Sequence, residues 1–339
     1  MTKGLEKSIA LVRKHFFSMA VLSVLGIAFA YPPAFRSWFG VDLFVFVGPS
    51  LQLIMFGMGA TLTFADFAGV VRQPWKVALG AVFQFTIMPL SGAAVARIFG
   101  FDGELAAGMI LIGSVAGGMA SNVIAYLAGA NVALSVSMTC VSTLVSPFAT
   151  PLLMKVLAGT YVEIDAVRMM VEMMKVVLLP VAAGFAVRLV FARQFEAHRV
   201  GMNRILAGVS MFAICFNLGV IIAPNHDRLV AAGVFVVLAG ALHIGTGYLL
   251  GYWGARLVGL VLPLDERDAR TIAIEVGMQN AGMASALAVT VLGSAVAALP
   301  ANAAAIVGST SGPLLANFWG HHPPGSALCT TGKEKNEDK

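Results

Sequence analysis

The residue with the most chemistry to offer is a carboxylate in the middle of an apolar run. Glu275 lies within Thr271-Ile272-Ala273-Ile274-Glu275-Val276-Gly277-Met278-Gln279-Asn280, and no Lys or Arg falls within four residues of it. If that run crosses a bilayer, an ionised carboxylate there is costly unless it is paired or holds a cation. A protonated Glu hydrogen-bonded to a neighbouring helix is the purely structural alternative.

The residues around Glu275 favour the cation. Gly277 and Gly282 bracket Gln279 and Asn280, and a matching cluster, Gly117-Gly118 before Ser121-Asn122, occurs earlier in the chain. Glycine weakens a helix by about 1 kcal/mol relative to Ala, so both clusters predict broken helices. A break frees carbonyls that can bind a cation, and it creates a new helix N-terminus that favours an anion. At bilayer depth such backbone is tolerated only around a buried site or cavity. Further oxygens are at hand. Ser135 and Thr139, four apart, share one helix face, and Gln84 sits in an apolar run five residues before Pro89. Sodium, as a hard cation, should want several oxygen ligands, by analogy with other hard ions. Glu275, Ser121, Asn122, Ser135, Thr139, Gln84 and Gln279 supply side-chain oxygens, and the carbonyls near Val276 and Met278 add more. A hydroxyl alone in a membrane helix commonly bonds back to the preceding turn; the constellation carries the reading.

Other polar positions say less. Glu172 and Lys175, three apart, predict a helix-surface pair. His243 reads as a hydrogen-bonded packing residue, with a proton site as the alternative. Cys140, Cys215 and Cys329 form no metal-type or CxxC spacing and read as small apolar filler.

The elements that must carry these residues are membrane spans. Of 339 residues 58% are hydrophobic and 12% charged, against about 25% charged in soluble domains. The excess apolar surface has to face lipid. At about 20 residues per span, ten helices are expected near 15–31, 43–63, 75–98, 103–128, 131–157, 166–192, 201–223, 229–258, 268–293 and 297–320. Pro/Gly or charged clusters such as Asp265-Glu266-Arg267-Asp268 separate them. The first run has a basic flank and ends in Ala28-Phe29-Ala30, as a cleavable signal would; with so many spans following, a retained first helix is expected. With the N-terminus cytoplasmic, sixteen Lys and Arg fall inside and five outside, leaving Lys175 within a span. Both termini are then cytoplasmic, the tail after Trp319 being polar, and the net charge of +5 reflects topology rather than nucleic-acid binding. Ile54–Gly59 in the second span pairs with Ile214–Gly219 in the seventh, and Gly117–Asn122 in the fourth with Val276–Gly282 in the ninth. Repeats of five spans must be inverted, the architecture of many secondary transporters.

At these residues the sequence resembles the bile acid:sodium symporter family, its bacterial members especially. The likeness runs from about residue 15 to 320 and rests on Ile54–Gly59, Gln84–Pro89, Gly117–Tyr126, Gly129–Leu144 and Glu275–Asn280. The resemblance implies an all-α protein of ten helices in two inverted five-helix repeats, with crossed, discontinuous fourth and ninth helices. It implies a panel domain of helices near 15–63 and 166–223 and a core domain of those near 75–157 and 229–320, flanked by cytoplasmic segments 1–14 and 321–339. It also implies two sodium sites, one of Ser121, Asn122, Ser135, Thr139 and Glu275, the other of Gln84, Glu275, Gln279 and the carbonyls of Val276 and Met278. Substrate contacts are expected at Met119, Ala120, Asn280, Gly308 and Ser309. Two positions depart from the pattern. Gly308-Ser309 stands where bacterial relatives commonly carry His-Asn, and Met119 where some have Thr.

The expected function is sodium-coupled symport of an organic anion, of bile-acid, pantoate or keto-acid type, by alternating access. The protein is expected as a monomer in the inner membrane. Proton coupling through Glu275 is the rival, and it needs no ring of hydroxyl and amide ligands. An aspartyl-type intramembrane enzyme needs two close carboxylates, and only one lies at depth. A metalloenzyme needs a His/Cys/carboxylate cluster, and a channel a ring of repeated pore residues.

Overall fold

The computed structural model describes residues 19–20, 23–24, 26–223 and 226–322. The expected cytoplasmic segment 1–14, Cys329 and most of the polar tail lie outside the described residues. Residues 26–30 are helical, and a tight hairpin, β1 (Ser37–Trp38) paired antiparallel with β2 (Val41–Asp42), follows. The hairpin turns through Phe39 and Gly40, both at positive φ.

The remainder is helical. α1 is Val47–Thr61, entered through a 3-10 turn at Leu43–Phe46; α2 is Phe64–Arg72 and α3 Pro74–Ile98. α4 is Gly103–Ser114, α5 Ala120–Leu127 and α6 Val132–Ala158. α7 (Ala166–Met173) runs through a π turn, Met174–Leu178, into α8 (Leu179–Val190). Pro180, which has no N–H to give the preceding turn, falls just after that widened turn. α9 is Ala192–Ala197, α10 Arg199–Ile222, α11 His226–Val258, α12 Glu266–Gly277, α13 Ala281–Thr290 and α14 Leu299–Gly320. Among the described residues, five helices are long and apolar enough to cross a membrane by length and composition: Leu43–Thr61, Pro74–Ile98, Val132–Ala158, Ala166–Val190 and Gly233–Val258.

The two spans expected to break are broken. The fourth predicted helix is α4 and α5, separated at Val115–Met119, and the ninth is α12 and α13, separated at Met278–Asn280. α2 was not foreseen: 64–72 falls between the helices expected at 43–63 and 75–98, but Thr63 and Asp66 form a capping box that starts a helix there. Asp268 likewise reads as part of a polar separator; it is instead the N3 residue of α12, capped reciprocally with Asp265, and is 1% exposed.

The helices pack in two groups. α1 lies chiefly on α8 and α10, while α3 packs on α4 and α6, and α11 on α12 and α14. Close approaches use glycine: a Cβ at Gly59 would sit 2.0 Å from Val181 O, and one at Gly184 2.1 Å from Phe56 O. Between the groups, α13 meets α1 and α10, with Thr290 against Gly48 and Ile214 against Gly282.

Candidate functional site

The broken helices cross at their breaks. Gly118 N donates to Met278 O (2.8 Å) and Asn280 N to Ala116 O (3.1 Å), and Gly117 and Gln279 form an antiparallel bridge. The unwound backbone therefore satisfies part of its own hydrogen bonding where lipid could not. The crossing leaves no room for a Cβ on Gly118, which would lie 2.9 Å from Gln279 O, and little for one on Gly117, 3.1 Å from Glu275 Oε2. Asn280 Oδ1 accepts from Met283 N (3.0 Å) and caps α13. Met119 caps α5 without a side-chain bond.

Glu275, 2% exposed on the last turn of α12, gathers three hydroxyls. Ser121 Oγ donates to Oε1 (2.6 Å), Ser135 Oγ also donates to Oε1, and Thr139 Oγ1 donates to Oε2 (2.8 Å). Asn122 Oδ1 completes the group, accepting from Ser135 Oγ (2.8 Å) and Thr139 Oγ1 (3.5 Å). The five residues read as one sodium site are thus in mutual contact across α5, α6 and α12. No Lys or Arg among the described residues makes an ion pair with Glu275.

The second set forms an adjoining group. Gln84 Nε2 donates to Gln279 Oε1 (2.7 Å) and to Val115 O (2.9 Å), and Gln279 Nε2 donates to Val276 O (2.5 Å). Met278 O is held by Gly118 N. Glu275 joins this group through the backbone of its own segment; its carboxylate bonds run to the first. Val115 O was not anticipated. Its signal was available, since a helix ending before Gly117 must leave a carbonyl there.

Three of the five expected substrate positions line the half-helix N-termini: Met119 is half-buried, Ala120 exposed, and Asn280 half-buried. Gly308 is buried with only Ile244 near its Cβ position (3.7 Å), and Ser309 Oγ donates to Ile306 O (2.9 Å). His243 is fully buried, its Nδ1 3.2 Å from Ser91 Oγ, as a packing residue would be. Glu172 and Lys175 pair at 3.0 Å, and Cys140 and Cys215 are buried free thiols.

Chemically, the first group offers one carboxylate and four neutral oxygens, all on buried side chains but that of the half-buried Asn122. Hydroxyl hydrogens that now point at Glu275 can rotate away and present lone pairs to a cation. Among the described residues there is no group of three or more His, Cys, Asp or Glu that would hold a transition metal, and an all-oxygen set suits a hard ion.

Comparison with known proteins agrees with this chemistry. Residues 49–232 match the model of the Sodium Bile acid symporter family. A Bacillus subtilis (strain 168) protein described as an uncharacterized sodium-dependent transporter, YocS, is 38% identical over 301 residues, covering 88% of each chain. A probable sodium/metabolite cotransporter of Arabidopsis thaliana chloroplasts, BASS1, is 35% identical over 274 residues, 81% of this chain and 66% of that longer one. Its Oryza sativa subsp. japonica counterpart is 34% identical over 314 residues, 91% of this chain and 73% of its own.

Proposed function

The chain belongs to the sodium bile acid symporter family, and we propose that it carries an organic anion across the membrane coupled to two sodium ions. It is a multi-pass membrane protein, and its relatives are described as transporters rather than enzymes. The observation that carries the reading is the unpaired carboxylate of Glu275 ringed by Ser121, Ser135 and Thr139, with Asn122 behind them. One sodium takes that ring; the other takes Gln84, Gln279, Glu275 and the carbonyls of Val276 and Met278. The two cations neutralise the carboxylate and stiffen the crossing. The anion then docks at the half-helix N-termini beside Met119, Ala120 and Asn280, with Gly308 and Ser309 shaping the cavity. Small residues at 308–309 leave room for a bulkier or more apolar acid of the bile-acid, pantoate or keto-acid type.

The ten spans form two inverted repeats, with the first span near 15–31, α1, α7–α8 and α10 as panel and α3–α6 and α11–α14 as core. Both termini face the cytoplasm of a cell whose inner membrane holds the protein as a monomer. The two half-helices differ in cover, which supports an inward-open arrangement. α13, on the outer side, is buried from Met283 to Val289, whereas α5 exposes Ala120, Val123, Tyr126 and Leu127. Uptake of radiolabelled candidate anions into proteoliposomes tests the whole reading. Uptake driven by a sodium gradient and indifferent to an imposed pH gradient is expected; uptake driven equally well by protons in potassium buffer would exclude it.

A further inference from the structure

Below the Glu275 carboxylate, α6 and α12 are joined by a second polar contact. Asn131, at the N-cap of α6, donates its backbone N–H to Thr271 Oγ1 (2.8 Å) and its side-chain Nδ2 to Asp268 Oδ1 (2.8 Å). The Thr271 hydroxyl has one hydrogen for two carbonyls, Arg267 O of its own helix (2.8 Å) and Asn131 O across the seam (3.2 Å). Asp268 Oδ2 is paired with Lys76 Nζ of α3 at 2.5 Å. Asp268 and Thr271 are 1% and 0% exposed, while Lys76 is 18% exposed at the end of the bundle.

These contacts continue the sodium site in register. Asn131, Ser135 and Thr139 follow at intervals of four on one face of α6, and Asp268, Thr271 and Glu275 follow at intervals of three and four on the facing side of α12. At 1.5 Å rise per residue, Thr271 lies about 6 Å and Asp268 about 10 Å below Glu275. The seam thus sets polar side chains about one helical turn apart, from the buried carboxylate to the end of the bundle that carries Lys76, Arg256, Glu266 and Arg267. Its far end holds the one anionic side chain of the seam after Glu275, and that anion is capped by a cation.

We propose that sodium leaves the Glu275 site for the cytoplasm along this seam, with Asp268 as its last station and the Lys76–Asp268 ion pair as the plug. This rests on the sodium coupling and orientation given above. Lys76 and the departing ion compete for one carboxylate, so the plug opens only as Lys76 swings to solvent.

The two halves of the ion pair make opposite predictions. Sodium NMR relaxation on the purified full-length protein reads the dissociation rate, and a sodium titration of thermal stability reads the affinity. Lys76→Met removes the plug and keeps the station, so release speeds up about tenfold, the scale of one charge interaction at this range, while affinity holds or tightens. Asp268→Asn removes the station and leaves an unpaired cation at the exit, so release slows although affinity weakens. Lys76→Arg stays parental, and the double variant Lys76→Met with Asp268→Asn returns toward parental. A clamp with a structural role alone moves both single variants the same way, and long-range electrostatics alone makes the tighter variant release more slowly; either result overturns the route. Relaxation in the parent that Glu275→Ala does not abolish would sink the sodium site itself, and the route with it.

Discussion

At the scale of single residues, the site depends on one charge and several neutral oxygens, and these should fail differently. Glu275 is the only carboxylate among the described residues at the crossing. In the proposed two-sodium arrangement, each cation at about 4 Å and an effective dielectric near 20 would gain roughly 4 kcal/mol from it. Glu275→Ala should therefore remove nearly all sodium-dependent thermal stabilisation. Thr139→Ala deletes one hydroxyl that donates to Glu275, a loss on the order of 1 kcal/mol, so sodium affinity should fall several-fold and binding persist. Gln279→Ala should act likewise on the neighbouring group and lower the Hill coefficient of the sodium titration. Parental affinity in Glu275→Ala, with binding abolished in Thr139→Ala, would remove the carboxylate from the site.

At the scale of elements, the crossing is made by what the helices omit. Gly118 brings its segment so close to Gln279 that a Cβ would meet backbone atoms at 2.9 and 3.3 Å. Backbone cannot move aside as a side chain can, so Gly118→Ala should destabilise the protein by about 2 kcal/mol or more and abolish sodium-dependent stabilisation together with it. A thermal melt with and without sodium checks both, and a variant with parental melting and sodium response would show the crossing to be loose. α6 uses proline similarly. Pro147 leaves Thr143 O without its usual partner, and Ser146 Oγ donates to it at 3.0 Å. The carbonyl freed by the first of this helix's two prolines is thereby satisfied without water.

At the scale of the whole molecule, the two helix groups meet where α6 packs on α7 and where α13 packs on α1, and in the second contact a Cβ on Gly48 would lie 3.4 Å from Thr290 Cγ2. If that contact closes the outer side, a Gly48→Cys/Thr290→Cys pair should cross-link under oxidation. Uptake should then stop and return on adding reductant; a cross-linked protein that still transports would mean that this seam does not open. Topology has its own check. A periplasm-active phosphatase fused after Trp319 should stay silent, and strong activity would overturn the even number of spans.

The sequence by itself determined the membrane class, the two breaks and the oxygen-bearing side chains available near them. Each is a local property: apolar runs need lipid, paired glycines weaken helices where they stand, and a carboxylate without a neighbouring cation needs one. Asn131 and Asp268 show the limit. In sequence they are 137 residues apart, Asn131 at the start of an expected helix and Asp268 in a charged separator; in the structure each serves a helix N-terminus, Asn131 as the N-cap of α6 and Asp268 as the N3 partner in the capping box of α12. Only the fold places α6 against α12, so that two caps become one polar seam beneath Glu275. The pairing of Gln84 with Gln279, 195 residues apart, was likewise decided by the crossing. So was the burial of Asp268, which a charged cluster in the sequence assigns to solvent, because long-range contacts are set by how apolar faces and glycine-lined surfaces fit, and no local pattern encodes that fit.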